Sequence, residues 1–277
     1  MDSSTEVDRR VPGPLRPIVE LANAHSSHLE ILPLSGDSLG SSHASKLGLP
    51  RKSALHVVAR HCSALLFHHG FIRILGAGHH PHCLRSLVSY NKGKPFLEAE
   101  DGAAGALIVA DDVVGGTFAI NAGGLPATIP IGEVAYFCPE GLQWDGLGIT
   151  FARFVQWCCT QQFLAFYEPL LWLGWEEDAS RLTLDQTFAF EPMIYKKQGV
   201  RKKRIVEVDE SYDALQSMHR KLYLEGNTLD AFGGVEEMDM EDAVSEDAST
   251  RGPSRIQTPS ERRRSALSNH SHPTPIV

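Results

Sequence analysis

Length and composition place the chain among ordinary globular proteins. The 277 residues give room for one large domain or two small ones. The hydrophobic share of 42% and the charged share of 22% exclude a wholly disordered or collagen-like chain. The formal net charge is −8. Because phosphate binding needs a clustered positive field, this charge argues against a dedicated nucleic-acid-binding protein.

Cysteine usage and hydropathy predict a cytoplasmic protein. Five cysteines are too few for a disulfide scaffold. Their odd number, together with the lack of an apolar signal segment near Met1, favours reduced thiols. The longest uncharged run, 113–132, contains five Gly and two Pro, so it does not predict a membrane-spanning helix. We therefore expect no membrane association.

The composition changes sharply towards both ends of the chain. Residues 226–250 carry eight acidic side chains and no Lys or Arg, whereas 251–277 are basic and rich in Ser, Pro and Thr. Such segments have too little apolar area to offset the roughly 1 to 2 kcal/mol per residue that ordering a backbone costs. We therefore predict an N-terminal extension at 1–27, a single domain at 28–225 and a disordered tail at 226–277.

Alternating apolar residues and short apolar runs separated by glycines predict mainly strands in the central region. The first two strands are expected to form a hairpin that turns at His69-Gly70. The predicted strands are 63–68, 71–75, 106–110, 117–121, 133–138, 188–195 and 204–208. The predicted helices are 17–24, 52–60, 150–160, 163–167 and 209–224. We predict an α+β fold, with a mainly antiparallel sheet of about six or seven strands and helices packed on one side.

The aromatic residues offer a candidate binding surface. Four tryptophans, from Trp144 to Trp175, lie within 32 residues. Such a set can fill the core between helices and sheet, or it can anchor a partner, because Trp is enriched at binding hot spots. Trp172 and Trp175 flank Gly174, and an acidic run starts at Glu176. This arrangement predicts a rigid aromatic rim with an acidic edge.

Polar side chains follow two of the predicted strands. Asp111 and Asp112 end the strand at 106–110, and Asn121 ends the next strand. Paired carboxylates at a strand end can hold a metal or perform acid–base chemistry, or they can cap a turn through nearby backbone N–H groups. Because neighbouring residues on a strand point to opposite faces, we favour the turn over a shared ion.

A histidine-rich loop, His79-His80-Pro81-His82-Cys83, contains four metal-capable donors. The donors are adjacent in a loop with a proline, and no second pair stands at the spacing of a zinc site. The chain also has no nucleophile elbow, P-loop or kinase motif. We therefore expect neither a metal nor a cofactor.

The run 196–204 holds six basic residues in nine. Such a run is typical of a nuclear-import or nucleic-acid patch. It also lies between two predicted strands, which is typical of an exposed hairpin tip. The acidic net charge weakens the nucleic-acid interpretation, and nuclear entry is kept as an alternative to a cytoplasmic location.

Together these blocks resemble an uncharacterised family, domain of unknown function 2625, over about 30 to 225. This chain departs from the family at its N-terminal extension, at its tail and at an inserted segment, 125–131, and these departures suggest a eukaryotic, fungal member. The matching stretches are ILP at 31–33, GFIRILG at 70–76, YN at 90–91, ADDVVGGTFAIN at 110–121, GEVAYF at 132–137, LQW at 142–144, FVQW at 154–157, FY at 166–167 and LWLGWE at 171–176.

The family has no established activity that could be carried over to these residues. More distantly, the order of acidic turn, Gly-rich strand, aromatic strand and helix of Phe and Trp is similar to the SUKH superfamily. Its members include bacterial immunity proteins that bind toxins and fungal cell-wall regulators. This likeness implies a non-enzymatic binding module, although a shared fold is a weak argument for function.

We therefore expect a module that binds another protein rather than an enzyme. The alternative is a small-molecule enzyme or accessory protein of a fungal metabolite pathway. That alternative requires Asp111 or Asp112 and a histidine such as His79 to converge in an apolar pocket. The expected contacts are tryptophans that act as anchors, and acidic and amide side chains that form hydrogen bonds: Asp111, Asp112, Asn121, Trp144, Trp172, Trp175 and Glu176.

Overall fold

The structure is a computed structural model that describes residues 11–92, 94, 105–191 and 202–224. The predicted disordered tail and the first part of the basic run lie outside the described residues. The strands are β1 Leu29–Leu32, β2 Ala64–Phe67, β3 Ile72–Leu75, β4 Ala106–Asp112, β5 Thr117–Asn121, β6 Glu133–Cys138, β7 Gln143–Thr150, β8 Gln186–Glu191 and β9 Lys202–Glu207. The α-helices are α1 Arg16–Ala24, α2 Asp37–Lys46, α3 Ala54–His61, α4 Leu87–Asn91, α5 Phe151–Cys158, α6 Gln162–Tyr167, α7 Trp175–Ser180 and α8 Val208–His219. Short helical turns occupy Gly13–Leu15, Glu168–Leu170 and Arg220–Leu224.

Within the described residues, the main sheet has seven strands in the order β1 to β7, and each strand pairs antiparallel with the next along the chain. The α+β class and the antiparallel sheet are therefore confirmed. Strands β8 and β9 form a separate two-stranded ribbon, whereas the sequence assigned their counterparts to the main sheet. The ribbon joins the main sheet through the Phe188 amide, which donates to the Val113 carbonyl at 3.0 Å.

Two strands of the main sheet were not predicted, and each has a local reason. Strand β1 is only four residues long, too short to show a period of two. Strand β7 contains Gly146 and Gly148, and its burial does not alternate, because Gly148 adopts a left-handed φ of +69°. Between the pairs Ala135–Gly146 and Glu133–Thr150, three residues of β7 stand opposite the single residue Val134 of β6. This bulge bends β7, which pairs with β6 alone in the described sheet.

Helices pack on both faces of the sheet. On β6, neighbouring side chains point to opposite faces. The Tyr136 ring lies 5.4 Å from the Phe166 ring of α6, whereas the Phe137 ring lies 5.8 Å from the His219 ring of α8. The sequence placed all helices on one side. The structure adds α8 on the other, because Phe137 needs apolar cover as much as Tyr136 does.

Local capping sets where the helices begin. Helix α3 starts after Ser53, whose hydroxyl accepts the His56 amide at 3.1 Å, as expected for an N-cap. Thr150 precedes α5 but makes no side-chain capping bond. None of the helices in the described part of the chain has the length and apolar character to cross a membrane.

The N-terminal segment contributes to the core. Helix α1 forms where a helix was predicted at 17–24, and Leu15 and Ala22 are both buried. The Cys159 thiol of the segment after α5 lies 3.8 Å from the Ile18 carbonyl. Residues 11–24 therefore pack against the same hydrophobic cluster as the central sheet.

Candidate functional site

Asp111 lies at the end of β4 between two buried arginines. Arg73 donates from Nε to Oδ1 at 2.6 Å, and Arg85 donates from Nη1 to Oδ2 at 2.6 Å. Arg85 also pairs with Asp185 at 3.1 Å, so two cations face two carboxylates. Arg73 further donates to the Gln186 carbonyl. The network therefore ties the start of β8 to the centre of the main sheet.

Asp112 points to the opposite face and is fully buried. Its Oδ2 accepts the hydroxyls of Tyr136 at 2.8 Å and Tyr167 at 2.6 Å. Its Oδ1 accepts the amides of Val114 at 3.0 Å and Gly116 at 2.7 Å. Burial raises the pKa of Asp112, and these four donors act in the opposite direction. Asp112 thus caps the β4–β5 turn, the alternative that the sequence favoured.

Asn121 organises the loop between β5 and β6. Its Nδ2 donates to the Ile129 carbonyl at 2.7 Å, while its Oδ1 accepts the amides of Gly123 at 2.8 Å and Leu125 at 3.2 Å. The side chain is buried. Asn121 therefore fixes the loop around 123–129 and has no exposed group to offer a partner.

The three polar residues predicted to bind a partner are thus buried and engaged inside the domain. Asp111 is 2% exposed, and Asp112 and Asn121 are similarly covered. A buried group that already has its hydrogen bonds gains nothing by releasing them to a surface ligand. Strand ends are commonly exposed, but here Arg85, Tyr167 and the β5–β6 loop cover them.

Trp172 is half-buried and held from two sides. Its indole N–H donates to Asp178 Oδ2 at 2.6 Å, and the Lys203 ammonium lies 4.6 Å from the ring centroid. Lys203 also forms an ion pair with Asp178, and this lysine is the main cause of the lowered pKa of Asp178. The ring packs edge-on against Phe188 at 5.5 Å. Trp172 is therefore rigidly placed.

Trp175 begins α7 and packs against two buried rings. Its centroid lies 5.4 Å from Phe71 and 5.4 Å from Phe163. Trp144 belongs to a different cluster, where it stacks edge-on against Phe137 at 5.4 Å. The structure therefore brings Trp172 and Trp175 into one region around Phe71, while Trp144 packs in the cluster beneath α8.

Between the two fixed tryptophans, Leu173 is wholly exposed. Gly174 follows with a left-handed φ of +80°, a conformation that glycine adopts without strain. Glu176, in the first turn of α7, is exposed beside it. We call Trp172, Leu173, Trp175 and Glu176 the Trp172 surface. Sequence reasoning identified its tryptophans and Glu176 but missed Leu173, because exposure of a leucine between two tryptophans is not visible in the sequence.

The β2–β3 hairpin turn borders this surface. The predicted turn at His69-Gly70 is present, and His68 and His69 both adopt left-handed backbone conformations. The His68 ring is buried and stacks on Phe163 at 4.0 Å. The His69 ring stacks on His28 at 4.2 Å. Burial lowers the pKa of His68 to about 4, so this turn resists protonation.

We expect acid to destabilise the domain through His68. In the unfolded chain, His68 takes up a proton near its ordinary pKa of about 6.5, whereas the folded chain does so only near pH 4. Between these values the unfolded state binds more protons, so stability is full above pH 6.5 and falls as the pH drops. The expected loss in the free energy of unfolding is about 2 kcal/mol between pH 7 and pH 5.

The variant His68→Asn removes the titration and keeps a residue that tolerates this backbone. Urea unfolding at both pH values should show a smaller pH effect in the variant, and an equal effect would contradict the assignment.

The histidine-rich loop does not assemble its four donors around one point. The Cys83 thiol turns inward and donates to the Arg85 carbonyl at 3.2 Å, and burial raises the pKa of Cys83 to about 12. The His80 and His82 rings lie 5.6 Å apart. Among the described residues, no group of three or more His, Cys, Asp or Glu side chains is placed to hold a metal ion.

A groove opens between the β8–β9 ribbon and α8, and no sequence pattern indicated it. Its volume is about 580 Å³, within the range of ligand-binding clefts. We call it the α8 groove. Its floor is apolar and includes Val114, Phe190, Val206, Leu215 and Met218. By contrast, the cavity that borders Asp111 and Asp112 measures about 10 Å³, space for about one water molecule.

The described part of the basic run forms the rim of the α8 groove. Lys202, Lys203 and Arg204 line it together with Glu191 and Glu210. Arg204 approaches Glu210 at 3.5 Å, and both side chains are largely exposed, so this pair contributes little stability. Because Lys203 is already paired with Asp178, Lys202 and Arg204 face Glu191 and Glu210 at the rim. The rest of the run lies outside the described residues.

Comparison with known proteins identifies the family. Residues 12–211 match the family described as Protein of unknown function DUF2625. The chain belongs to the DUF2625 family. The resemblance that the sequence blocks indicated is thereby confirmed. The DUF2625 match begins before the predicted domain start at residue 28 and ends inside α8.

Two bacterial relatives are similar to this DUF2625 chain. An uncharacterized protein of Haemophilus influenzae is 33% identical over 170 residues, which cover 60% of this chain and 73% of the relative. The putative uncharacterized protein YbfG of Escherichia coli is 30% identical over 194 residues, which cover 70% of this chain and 86% of the relative. No solved structure matches the chain. Both relatives are bacterial and give no support to a fungal assignment, and no comparison shows the SUKH likeness.

Proposed function

We propose that this DUF2625 protein is a protein-binding module whose contact surface is the Trp172 surface. The observation that carries the proposal is the wholly exposed Leu173 between two immobilised tryptophans. An exposed apolar side chain alone is ordinary. This one extends from a loop fixed by the Trp172–Asp178 hydrogen bond and by the packing of Trp175 on Phe71.

Rigidity makes this loop suitable for binding. A partner that buries Leu173 would lose little conformational entropy in the loop, because its neighbours are already ordered. Ile205, which is 54% exposed, pairs across the ribbon with Phe188 and extends the apolar area next to Trp172. Hot spots combine such a central apolar anchor with a polar rim.

The charges around the Trp172 surface indicate the partner's chemistry. Glu176 and Glu177 are exposed in the first turn of α7, and Asp178 is engaged by Lys203. A partner with an apolar pocket for Leu173 and basic side chains at the pocket edge would match both features. A cytoplasmic location, with nuclear entry as the alternative, remains a prediction.

The enzymatic alternative receives no support from the geometry. It required Asp111 or Asp112 to meet His79 in an apolar pocket. Both carboxylates are saturated by internal partners, and neither lines the α8 groove. The weaker SUKH likeness, whose members include toxin-binding proteins, agrees with a binding module but remains an expectation.

We expect Leu173→Asp to weaken partner binding strongly and leave the fold intact. Removing a hot-spot side chain lowers affinity about 30-fold, whereas a wholly exposed position changes the free energy of unfolding by about 0.5 kcal/mol or less. The measurement is affinity capture from the source cells, followed by titration calorimetry of the purified partner against wild type and variant. Leu173 is a sharper probe than Trp172, whose packing on Phe188 would also be lost on truncation.

Ile131→Asp provides the matched control. Ile131 is 75% exposed and lies in the β5–β6 loop next to Asn121, whereas the Trp172 surface lies beyond the other end of β5. The control should retain the partner that Leu173→Asp loses. An unchanged set of captured proteins with Leu173→Asp would refute the proposal.

A further inference from the structure

We propose that the acidic segment 229–244 of this same chain binds in the α8 groove. The groove is open, and its floor is lined by Val114, Leu215 and Met218. An apolar cleft of about 580 Å³ is large enough to take several side chains. Its occupant must combine apolar groups with a charge that suits the rim.

The rim offers two cations to an acidic occupant. Lys203 is already paired with Asp178, so Lys202 and Arg204 are the rim cations that such an occupant can meet. The long 3.5 Å contact between Arg204 and Glu210 lets the guanidinium take a closer carboxylate. Segment 229–244 carries six acidic residues and no Lys or Arg. The same segment contains the apolar side chains that the floor requires: Leu229, Phe232, Val235, Met238, Met240 and Val244.

The chain leaves the described structure close to the groove. The Tyr223 hydroxyl donates to the Gly141 carbonyl at 3.0 Å, and Pro139, two residues before Gly141, lines the groove. Leu229 follows Leu224 by five residue steps. Fully extended, they span up to about 17 Å, so the acidic segment begins within reach of the groove.

Charge separates this occupant from the rest of the tail. Residues 251–277 contain five arginines and one glutamate, so they would face like charges at Lys202, Lys203 and Arg204. The family match ends at residue 211, whereas Ala214, Leu215 and Met218 of the groove wall lie beyond it, as does the acidic segment. The inference does not rest on the Trp172 surface.

Photo-cross-linking in the full-length chain tests the inference. The five native cysteines are buried, so a benzophenone maleimide will label the single cysteine of a Val235→Cys variant. After irradiation, cross-linked peptides are mapped by mass spectrometry. We expect the cross-links to fall on α8 and the β8–β9 ribbon, with a yield per molecule that does not change with protein concentration.

Two further substitutions on α8 separate groove occupancy from general effects of charge. Ala214→Glu places a carboxylate on an exposed position that lines the groove, four residues after Glu210. Ser217→Glu places one on an exposed position outside the groove lining, four residues after Asp213. The carboxylate introduced by Ala214→Glu should repel the acidic segment at close range and lower the cross-link yield about fivefold. Ser217→Glu should leave the yield unchanged.

Three outcomes would overturn the inference. Cross-links that avoid α8, the β8–β9 ribbon, Val114 and Pro139, the walls of the groove, would show that the segment lies elsewhere. A yield that rises with protein concentration would show that a second copy supplies the segment. An Ala214→Glu variant that remains folded by circular dichroism and cross-links as strongly as the parent would show that the groove is not the binding site.

Discussion

Replacing Asp111 with alanine is expected to lower the free energy of unfolding by about 3 to 5 kcal/mol, enough to unfold many single domains at 37 °C. The substitution removes the acceptor of both Arg73 and Arg85 and leaves Asp185 as one carboxylate against two buried cations. Uncompensated buried charge is among the most costly changes that one substitution can make. Urea unfolding monitored by tryptophan fluorescence measures the loss.

An exposed ion pair provides the comparison. Glu177 and Arg181 are paired at 2.5 Å on the surface of α7, and both side chains are more than two-thirds exposed. Glu177→Gln should therefore cost about 1 kcal/mol or less. If the two substitutions destabilised the domain equally, the buried network would not be the link between ribbon and sheet that its geometry indicates.

Gly116→Ala is the second change expected to have a large effect. A Cβ at position 116 would lie 2.3 Å from Asp112 Oδ2 and 2.3 Å from the Tyr136 hydroxyl, too close for any real contact. One of these buried groups must move, and the Tyr136–Asp112 hydrogen bond breaks. Overpacking and the loss of a donor to a buried carboxylate together should cost about 3 kcal/mol or more.

Gly36→Ala is the matched control for this prediction. A Cβ at position 36 meets no atom within 4 Å, so the same chemical change should alter the free energy of unfolding by less than about 1 kcal/mol. Differential scanning calorimetry of both variants at one pH gives the comparison. A Gly116→Ala protein with the same melting temperature as wild type would contradict the close packing around Asp112.

Hydrophobic periodicity predicted the strands and helices whose side chains face the same surroundings along the whole element. Strands β5 and β6 occupy Thr117–Asn121 and Glu133–Cys138, as predicted, because both lie between paired neighbours in the sheet. The helix predicted at 150–160 is Phe151–Cys158, because one stripe of that helix faces the core. Strand β1 and helix α4 were missed, because each is too short to show a repeating hydrophobic pattern.

The polar residues of the predicted site could not be placed from sequence. Whether Asp111 is exposed depends on Arg73 and Arg85, which lie 38 and 26 residues away in the chain. Whether Asp112 is exposed depends on Tyr167, 55 residues away. No local pattern reports such distant contacts. Neighbouring residues on a strand do point to opposite faces, and that local rule correctly separated the two carboxylates.

The α8 groove was missed for a related reason. Its walls come from a ribbon that the sequence assigned to the main sheet and from a helix whose inner and outer faces are both partly apolar. Leu215 packs towards Phe137 and also lines the groove. The basic residues at 202–204 are conspicuous in the sequence, but their role at a rim depends on where α8 lies.

The bulge on β7 affects how the protein behaves at high concentration. A straight, flat outer strand offers a row of unpaired amides and carbonyls to any other copy of the chain, which is a common route to aggregation. In β7 the left-handed Gly148 and the three residues opposite Val134 of β6 interrupt that row midway. A second sheet cannot continue the ladder past the interruption. The same irregularity that hid this strand from sequence analysis therefore helps to keep the folded chains apart.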